Sequence, residues 1–384
     1  VRRLFADASR VRRVACREAD PECPVPTFRP DLASIPKYVP GKPIADVARE
    51  FGLTSIDKLA SNECPEPPFP EIVPVLASMA SSINRYPDDG AHELKSAIAA
   101  HLNVPAESVW PAAGSSENLR STALAVGGPG TSAVYAVPSF VMYAIGTLIA
   151  HAEPITVPLT ASYSHDLDAM AGAIRDDTTV VYVCNPNNPT GGIRSGADVR
   201  GFIDTIPERV TVVIDEAYAE YVTDPSYSSM VHDAVERPNV LVTRTFSKIY
   251  GLAGLRVGYA VGSAELVSNL RAPQAPFSVS SLAQVAAVEA LRHSDRVDSR
   301  RERNANGRDV LSDGLRARGV AVADSQANFV YFEPDGPPTD LAEQLMRRGV
   351  IVRPLGPGLR VTVGTDGENQ RFLAMWDDVE PANA

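Results

Sequence analysis

The stretch NVLVTRTFSKIYGLAGLRVGY, residues 239–259, runs an apolar β-branched segment into a lysine and then a glycine-containing turn. Val240, Leu241 and Val242 read as a strand, because short β-branched runs bounded by polar residues suit a sheet buried on both faces. Lys248 falls just beyond that strand, where a long cation either reaches solvent or has a chemical task. The arrangement recurs upstream: TTVVYVCNPNNPTGG (178–192) and VTVVIDEAY (210–218) are apolar runs that end in polar residues. TSAVYAVPS (131–139) is a further strand, while AHELKSAIAAHL (91–102) and VMYAIGTLIAHA (141–152) space their apolar residues as helices do. Strands alternating with helices predict an α/β fold with a largely parallel sheet. Ligands in such sheets sit beyond the carboxyl ends of the strands. The polar residues cluster there, at Asn185 to Thr190, Asp215 to Tyr218, Ser247 and Lys248.

Composition narrows the function classes. A chain of 384 residues with 44% hydrophobic and 22% charged residues can bury a large core, and two domains are expected. The net charge of −11 argues against a broad nucleic-acid or anionic-membrane surface. No run approaches the roughly 18 apolar residues of a membrane span. The cysteines Cys16, Cys23, Cys64 and Cys184 form no CxxC pair and no metal-ligand spacing, so reduced thiols in a cytoplasmic protein are expected and no metal is. The arginine-rich start lacks the apolar core of a secretory signal, and the chain begins with valine; residues 1–28 are expected to form a flexible arm. Residues 85–275 are expected to form a large domain. Residues 276–384 change texture, with a long helical stretch over 280–319, strands at ANFVYF and LRVTVG and a last helix from Glu368. Together with 29–84, which lines the cleft, they are expected to make a smaller α+β domain.

Taken singly, each motif has a plain reading: Asn-Pro pairs initiate turns, and a lysine after a strand is usually a solvated cation. In this order the set RPDLASIPKYVPGKP (29–43), LASNE, NRYPD, CNPNNPTG, DEAY, RTFSKIYGLAGLRVGYAVG and LRVTVG resembles the histidinol-phosphate aminotransferase family, of pyridoxal-phosphate fold type I. The resemblance runs from about residue 29 to 379. APFSVSSLAQ (275–284) and SQANFVYF (325–332) look most like the family's actinobacterial aromatic-aminotransferase branch. That resemblance implies a seven-stranded, mostly parallel sheet in the large domain and pyridoxal 5′-phosphate as cofactor. Lys248 would hold it as a Schiff base and carry the Cα proton, Asp215 would face the pyridine nitrogen, and Asn188 and Tyr218 would bond the phenolic oxygen. Phe140 would stack on the ring. Ser115, Ser116, Thr245, Ser247 and Arg256 would bind the phosphate, with Tyr86 reaching it from a neighbouring subunit of a homodimer. Arg360 would grip the substrate carboxylate, and Tyr38, Asn62 and Arg353 would line the substrate side. Gly251 and Gly254 are expected to let the lysine segment turn tightly. Two departures stand out: Cys64 replaces an asparagine in the usual NEN, and Ser116 replaces an acidic residue in the usual GSDE.

The expected activity is amino transfer between an aromatic amino acid and a 2-oxo acid, with 2-oxoglutarate and glutamate as the acceptor pair. Histidinol phosphate is the alternative donor, and a tailoring aminotransferase or a decarboxylase shares the same skeleton. An aminotransferase-like transcription regulator is the remote alternative. It would need a winged helix ahead of the family-like segment, and fewer than about 40 residues stand there, short of a small domain.

Overall fold

The computed structural model describes residues 30–37 and 41–379. The expected arm over 1–28 and Tyr38 lie outside the described residues. Pro30–Ser34 is a short 3-10 turn in which the Ser34 hydroxyl donates to the Asp31 carbonyl at 2.7 Å. It belongs to a separate unit ending at Ile35.

Twelve strands occur among the described residues that follow. In chain order they are β1 (Asp57–Lys58), β2 (Val109–Ala112), β3 (Ser132–Val137), β4 (Glu153–Pro158), β5 (Thr178–Cys184) and β6 (Thr211–Asp215). There follow β7 (Val240–Thr245), β8 (Gly258–Val261), β9 (Phe329–Phe332), β10 (Val350–Ile351), β11 (Arg353–Leu355) and β12 (Gly358–Thr362). Seven make one sheet in the order β2-β8-β7-β6-β5-β3-β4. Only β8 runs against the rest. The three inner strands β5, β6 and β7 consist mostly of buried Val, Ile, Leu and Thr, the composition of strands covered on both faces. Register carries the chemistry, since Cys184 on β5 pairs with Asp215 on β6, and Asp215 with Thr243 on β7. The polar residues that follow these strands therefore emerge side by side.

A second, antiparallel sheet runs β11-β12-β9, and β1 pairs with β10 in parallel. Leu311, Leu315, Val330, Phe332, Phe372 and Trp376 form its core. The helical stretch over 280–319 is two helices, Ser281–Ala290 and Ser294–Arg316. Ala283, Ala286, Ala287 and Ala290 join the core of the seven-stranded sheet together with Val297 near the start of the second helix, whereas Leu311 and Leu315 further along that helix join the core of the second sheet. At the break the His293 ring meets Glu289 at 2.9 Å and the edge of Phe69 at 6.2 Å. The last helix begins at Asp366, not Glu368. Thr365 precedes it, and the Glu368 carboxylate accepts from the Thr365 N–H at 2.7 Å, the reciprocal cap that starts a helix early. Among the described residues no helix is long and apolar enough to cross a membrane.

Candidate active site

A cavity of about 650 Å³ opens at the carboxyl ends of β5, β6 and β7. Lys248 enters it from the turn that follows β7. That turn is closed by the Ser247 N–H donating to Thr245 Oγ1 (3.1 Å) and by the Gly251 N–H donating to the Lys248 carbonyl (2.9 Å). Gly251 takes φ +72°, a conformation costly for side chains with a Cβ. Gly254 does not: it sits in the 3-10 turn Ala253–Leu255 without a positive φ, so only one of the two expected glycines does the turning. The second left-handed residue is instead Arg256, at φ +55°.

The Lys248 amine makes one long contact, 3.5 Å to the Ser61 carbonyl, and lies 5.5 Å from the centre of the Tyr218 ring. Burial, reinforced by the positive charges of Arg360 and Arg256, pulls its pKa down to about 7, against the opposing pull of Glu63 and Asp215. A lysine held there is neutral in a large fraction of molecules near neutral pH, so it can act as nucleophile or base.

Asp215 is 2% exposed at the floor of the site. Its Oδ1 accepts from Thr243 Oγ1 (3.1 Å) and the Ala217 N–H (3.2 Å), and its Oδ2 from the Tyr143 hydroxyl (2.8 Å). Burial pushes its carboxyl pKa up, and these three donors act against that rise.

Tyr218 is buried with its hydroxyl 2.9 Å from Asn62 Nδ2. Burial raises its phenol pKa, so the hydroxyl keeps its proton. Asn62 is itself left-handed (φ +53°) and is pinned to β12, its N–H donating to Thr362 Oγ1 (3.0 Å) and its Oδ1 accepting from the same hydroxyl (3.1 Å). Arg360, also on β12 and 7% exposed, donates to Asn188 Oδ1 (2.6 Å) and to the Ala60 carbonyl (2.7 Å). Directly opposite Arg360 on β11 stands Arg353. Like charges in facing positions repel, so the pair favours anions in the cavity.

The far side of the cavity is a cup of donors. Ser115 and Ser116 begin the twelve-residue helix Ser115–Val126, whose free N–H groups and dipole favour an anion. Thr245, Ser247 and Arg256 face them, with Arg256 Nη1 3.3 Å from Ser247 Oγ. Gly114, at φ +81°, is what lets the guanidinium approach: a Cβ there would lie 2.5 Å from Arg256 Nη2.

Thirteen of the expected residues thus line one cavity: Asn62, Ser115, Ser116, Phe140, Asn188, Asp215, Tyr218, Thr245, Ser247, Lys248, Arg256, Arg353 and Arg360. Tyr86 does not. It is 81% exposed and stacks on Phe277 with ring centres 4.6 Å apart. Sequence reading missed Tyr143 and Thr243, the two side chains that bond Asp215. A signal for Tyr143 was present, since it follows Phe140 by one helical turn in PSFVMY. Among the described residues no group of His, Cys, Asp and Glu could hold a metal ion.

The chain is similar in sequence and fold to known proteins. The sequence pattern described as "Aminotransferase class I and II" matches residues 55–375. A histidinol-phosphate aminotransferase of Moorella thermoacetica is 42% identical over 362 residues, covering 93% of this chain and 94% of the relative. An aromatic amino acid aminotransferase of Streptomyces avermitilis is 43% identical over 349 residues, covering 91% and 96%. The crystal structure of histidinol-phosphate aminotransferase from Sinorhizobium meliloti in complex with pyridoxal-5′-phosphate superposes with a TM-score of 0.84 at 26% identity, covering 92% of this chain and 97% of that one. Aspartate aminotransferase of Thermus thermophilus, at 22% identity and TM-score 0.80, shares the fold. With a seven-stranded sheet, a lysine after its inner strand and relatives of this identity along nearly its whole length, the chain belongs to the class I and II aminotransferases of fold type I.

Proposed function

We propose that the protein transfers an amino group from an aromatic amino acid to a 2-oxo acid such as 2-oxoglutarate, with pyridoxal 5′-phosphate resident in the 650 Å³ cavity. The observation that carries this reading is that one cavity brings together the Lys248 amine, the buried Asp215 carboxylate and a cup of anion donors. The donor chemistry fits the cofactor at three points. Ser115, Ser116, Thr245, Ser247 and Arg256 offer hydroxyls, a helix terminus and a cation to a phosphate. Asp215 offers a carboxylate to the pyridine nitrogen, and Phe140 an apolar face to the ring. Asn188 and Tyr218 supply donors for the phenolic oxygen.

When bound, the cofactor supplies a carbonyl carbon that captures amines and a ring that withdraws electrons from the substrate Cα. The chain does the rest. Lys248 Nζ, neutral above about pH 7 when free, would hold the cofactor's carbonyl carbon and would be the base that removes the substrate Cα proton. Asp215 keeps a proton on the ring nitrogen. Arg360 engages both oxygens of the substrate carboxylate, which a planar guanidinium does better than an ammonium.

The substrate side supports the aromatic reading. Pro138, Val141, Met142 and Leu355 give the cavity an apolar wall, suited to a phenyl or phenol ring. Arg353 is half-buried and has no hydrogen-bond or ion-pair partner among the described residues, so a second cation is available for the distal carboxylate of a dicarboxylic acceptor. In single-turnover half-reactions with phenylalanine, Arg360→Ala is expected to cost about a hundredfold or more, the loss of two charged hydrogen bonds. Arg353→Ala should cost phenylalanine less than about tenfold but slow the return reaction with 2-oxoglutarate by about a hundredfold. Should histidinol phosphate react at least about ten times more efficiently than phenylalanine, through Arg353, the donor is histidinol phosphate and the aromatic reading falls.

The proposal includes a homodimer with shared sites. Tyr86 and Phe277 form an exposed aromatic pair outside the cavity of their own chain, as expected of residues that serve a partner's cavity. Mixing Lys248→Ala subunits with Tyr86→Phe subunits then gives hybrids with one doubly damaged site and one intact site. Activity is expected to rise after subunit exchange. With hybrids verified by mass, no rise would put Tyr86 outside the partner's site.

A further inference from the structure

Among the described residues Tyr143 is the one side chain hydrogen-bonded to Asp215 Oδ2, and its ring is tightly packed. Its ring stacks on Tyr182, centres 4.8 Å apart and 15° from parallel, and meets Phe140 edge-on at 5.9 Å. It is 1% exposed, on the helix Met142–Ile149 that follows β3. One stacked ring, one edge-on ring and near-complete burial leave the Tyr143 ring little rotamer freedom, so its hydroxyl stays between Asp215 and the Cys184 thiol. Thr243 and the Ala217 N–H both bond the other oxygen, Oδ1. Without Tyr143, no described residue would donate to Oδ2, and the carboxyl could rotate about its Cβ–Cγ bond.

We propose that Tyr143 is a positioning residue for the amino-transfer reaction: its hydroxyl fixes the plane of the Asp215 carboxylate and keeps that group charged for the pyridine nitrogen. The proposal rests on the reading of the cavity as a pyridoxal-phosphate site. The direction follows from elementary electrostatics. A hydrogen bond donated to a carboxylate favours its charged form, which opposes the cost of burial. The donor role is secure because burial and the neighbouring Asp215 charge push the Tyr143 phenol pKa well above its ordinary value. Other groups face Asp215 as well. Glu216 follows it just past the end of β6 and opposes its ionisation, and Lys248 beyond β7 interacts with it favourably. Cys184 on β5 and Tyr218 in the loop after β6 are both held protonated by burial and add no charge. None of these donates to Oδ2, so none replaces the tyrosine.

The test titrates Asp215 itself. In cofactor-free protein the infrared band of the protonated Asp215 acid is followed against pH, assigned by its absence in Asp215→Asn. In Tyr143→Phe the midpoint is expected to rise by about one to two pH units, a ten- to hundredfold change in ionisation constant, the effect of one charged hydrogen bond. Affinity for pyridoxal phosphate should fall by about tenfold or more, whereas affinity for its 1-deaza analogue, which has no ring nitrogen, should stay within about twofold. A purely structural tyrosine would weaken both ligands alike, and that result, or an unmoved Asp215 midpoint, overturns the proposal. If Tyr143→Phe folds poorly, 3-fluorotyrosine at position 143 keeps the shape and strengthens the donor, so the midpoint must move down; no movement refutes the proposal. Failure of the wild-type protein to bind pyridoxal phosphate would overturn the functional reading instead.

Discussion

Lys248→Ala should retain the fold and bind pyridoxal phosphate non-covalently, yet lose turnover by several orders of magnitude. Retention follows from the geometry of the turn. The bonds that shape it run through the Ser247 and Gly251 N–H groups, Thr245 Oγ1 and the Lys248 carbonyl, none of which the substitution removes. The donors Ser115, Ser116, Thr245, Ser247 and Arg256 also remain. What goes is the amine, and with it both the covalent attachment and the proton carrier; loss of a positioned general base alone costs about 10²–10⁴ in rate. Borohydride treatment of the wild-type holoenzyme, followed by peptide mapping, should place the reduced adduct on Lys248. An adduct on another lysine would end this assignment. The depressed pKa gives a second readout. In cofactor-free protein, the rate of covalent capture of pyridoxal phosphate should climb with pH through a midpoint near 7, where the amine becomes neutral. Arg360→Ala removes a positive neighbour that favours the neutral form, so the midpoint must shift upward.

Much of this site could be read from the chain because its parts lie at the ends of apolar runs. Val180 to Cys184, Val212 to Asp215 and Val240 to Thr245 are too short and too β-branched for helices, and parallel neighbours must end on the same edge. What could not be read depends on register and on torsion angles. Nothing in the sequence says that Arg353 and Arg360 stand opposite one another, because that depends on how few residues turn between β11 and β12. Nor does it say that Arg256 would adopt the left-handed conformation while Gly254 would not. Glycine is merely permitted there; an arginine is held there by what it grips, the Ser247 Oγ across the turn and the Ala253 carbonyl three residues back.

Asp215→Asn should fold at least as stably as the wild type when cofactor-free and lose at least about a thousandfold in rate, comparable with removing a preorganised electrostatic group. Stability is preserved because the amide can satisfy the same partners. Its carbonyl oxygen can accept from Thr243 and the Ala217 N–H, where Oδ1 does now. Its NH₂ then faces Tyr143, whose hydroxyl can turn and accept instead of donate. The variant also escapes the cost of holding a charge in a site where burial already drives the carboxyl toward its protonated form. Catalysis does not survive this exchange. An amide carries no charge and takes up no proton near neutral pH, so it cannot keep the ring nitrogen protonated. Thermal unfolding of the cofactor-free variant and single-turnover rates with phenylalanine separate the two claims. A rate near that of the wild type would mean that the buried carboxylate is structural, and the electron-withdrawing role assigned to Asp215 would be lost. Lower stability with the expected rate loss would instead show that Tyr143 cannot reverse its hydrogen bond, because its hydroxyl proton would then lack a good acceptor in the buried site.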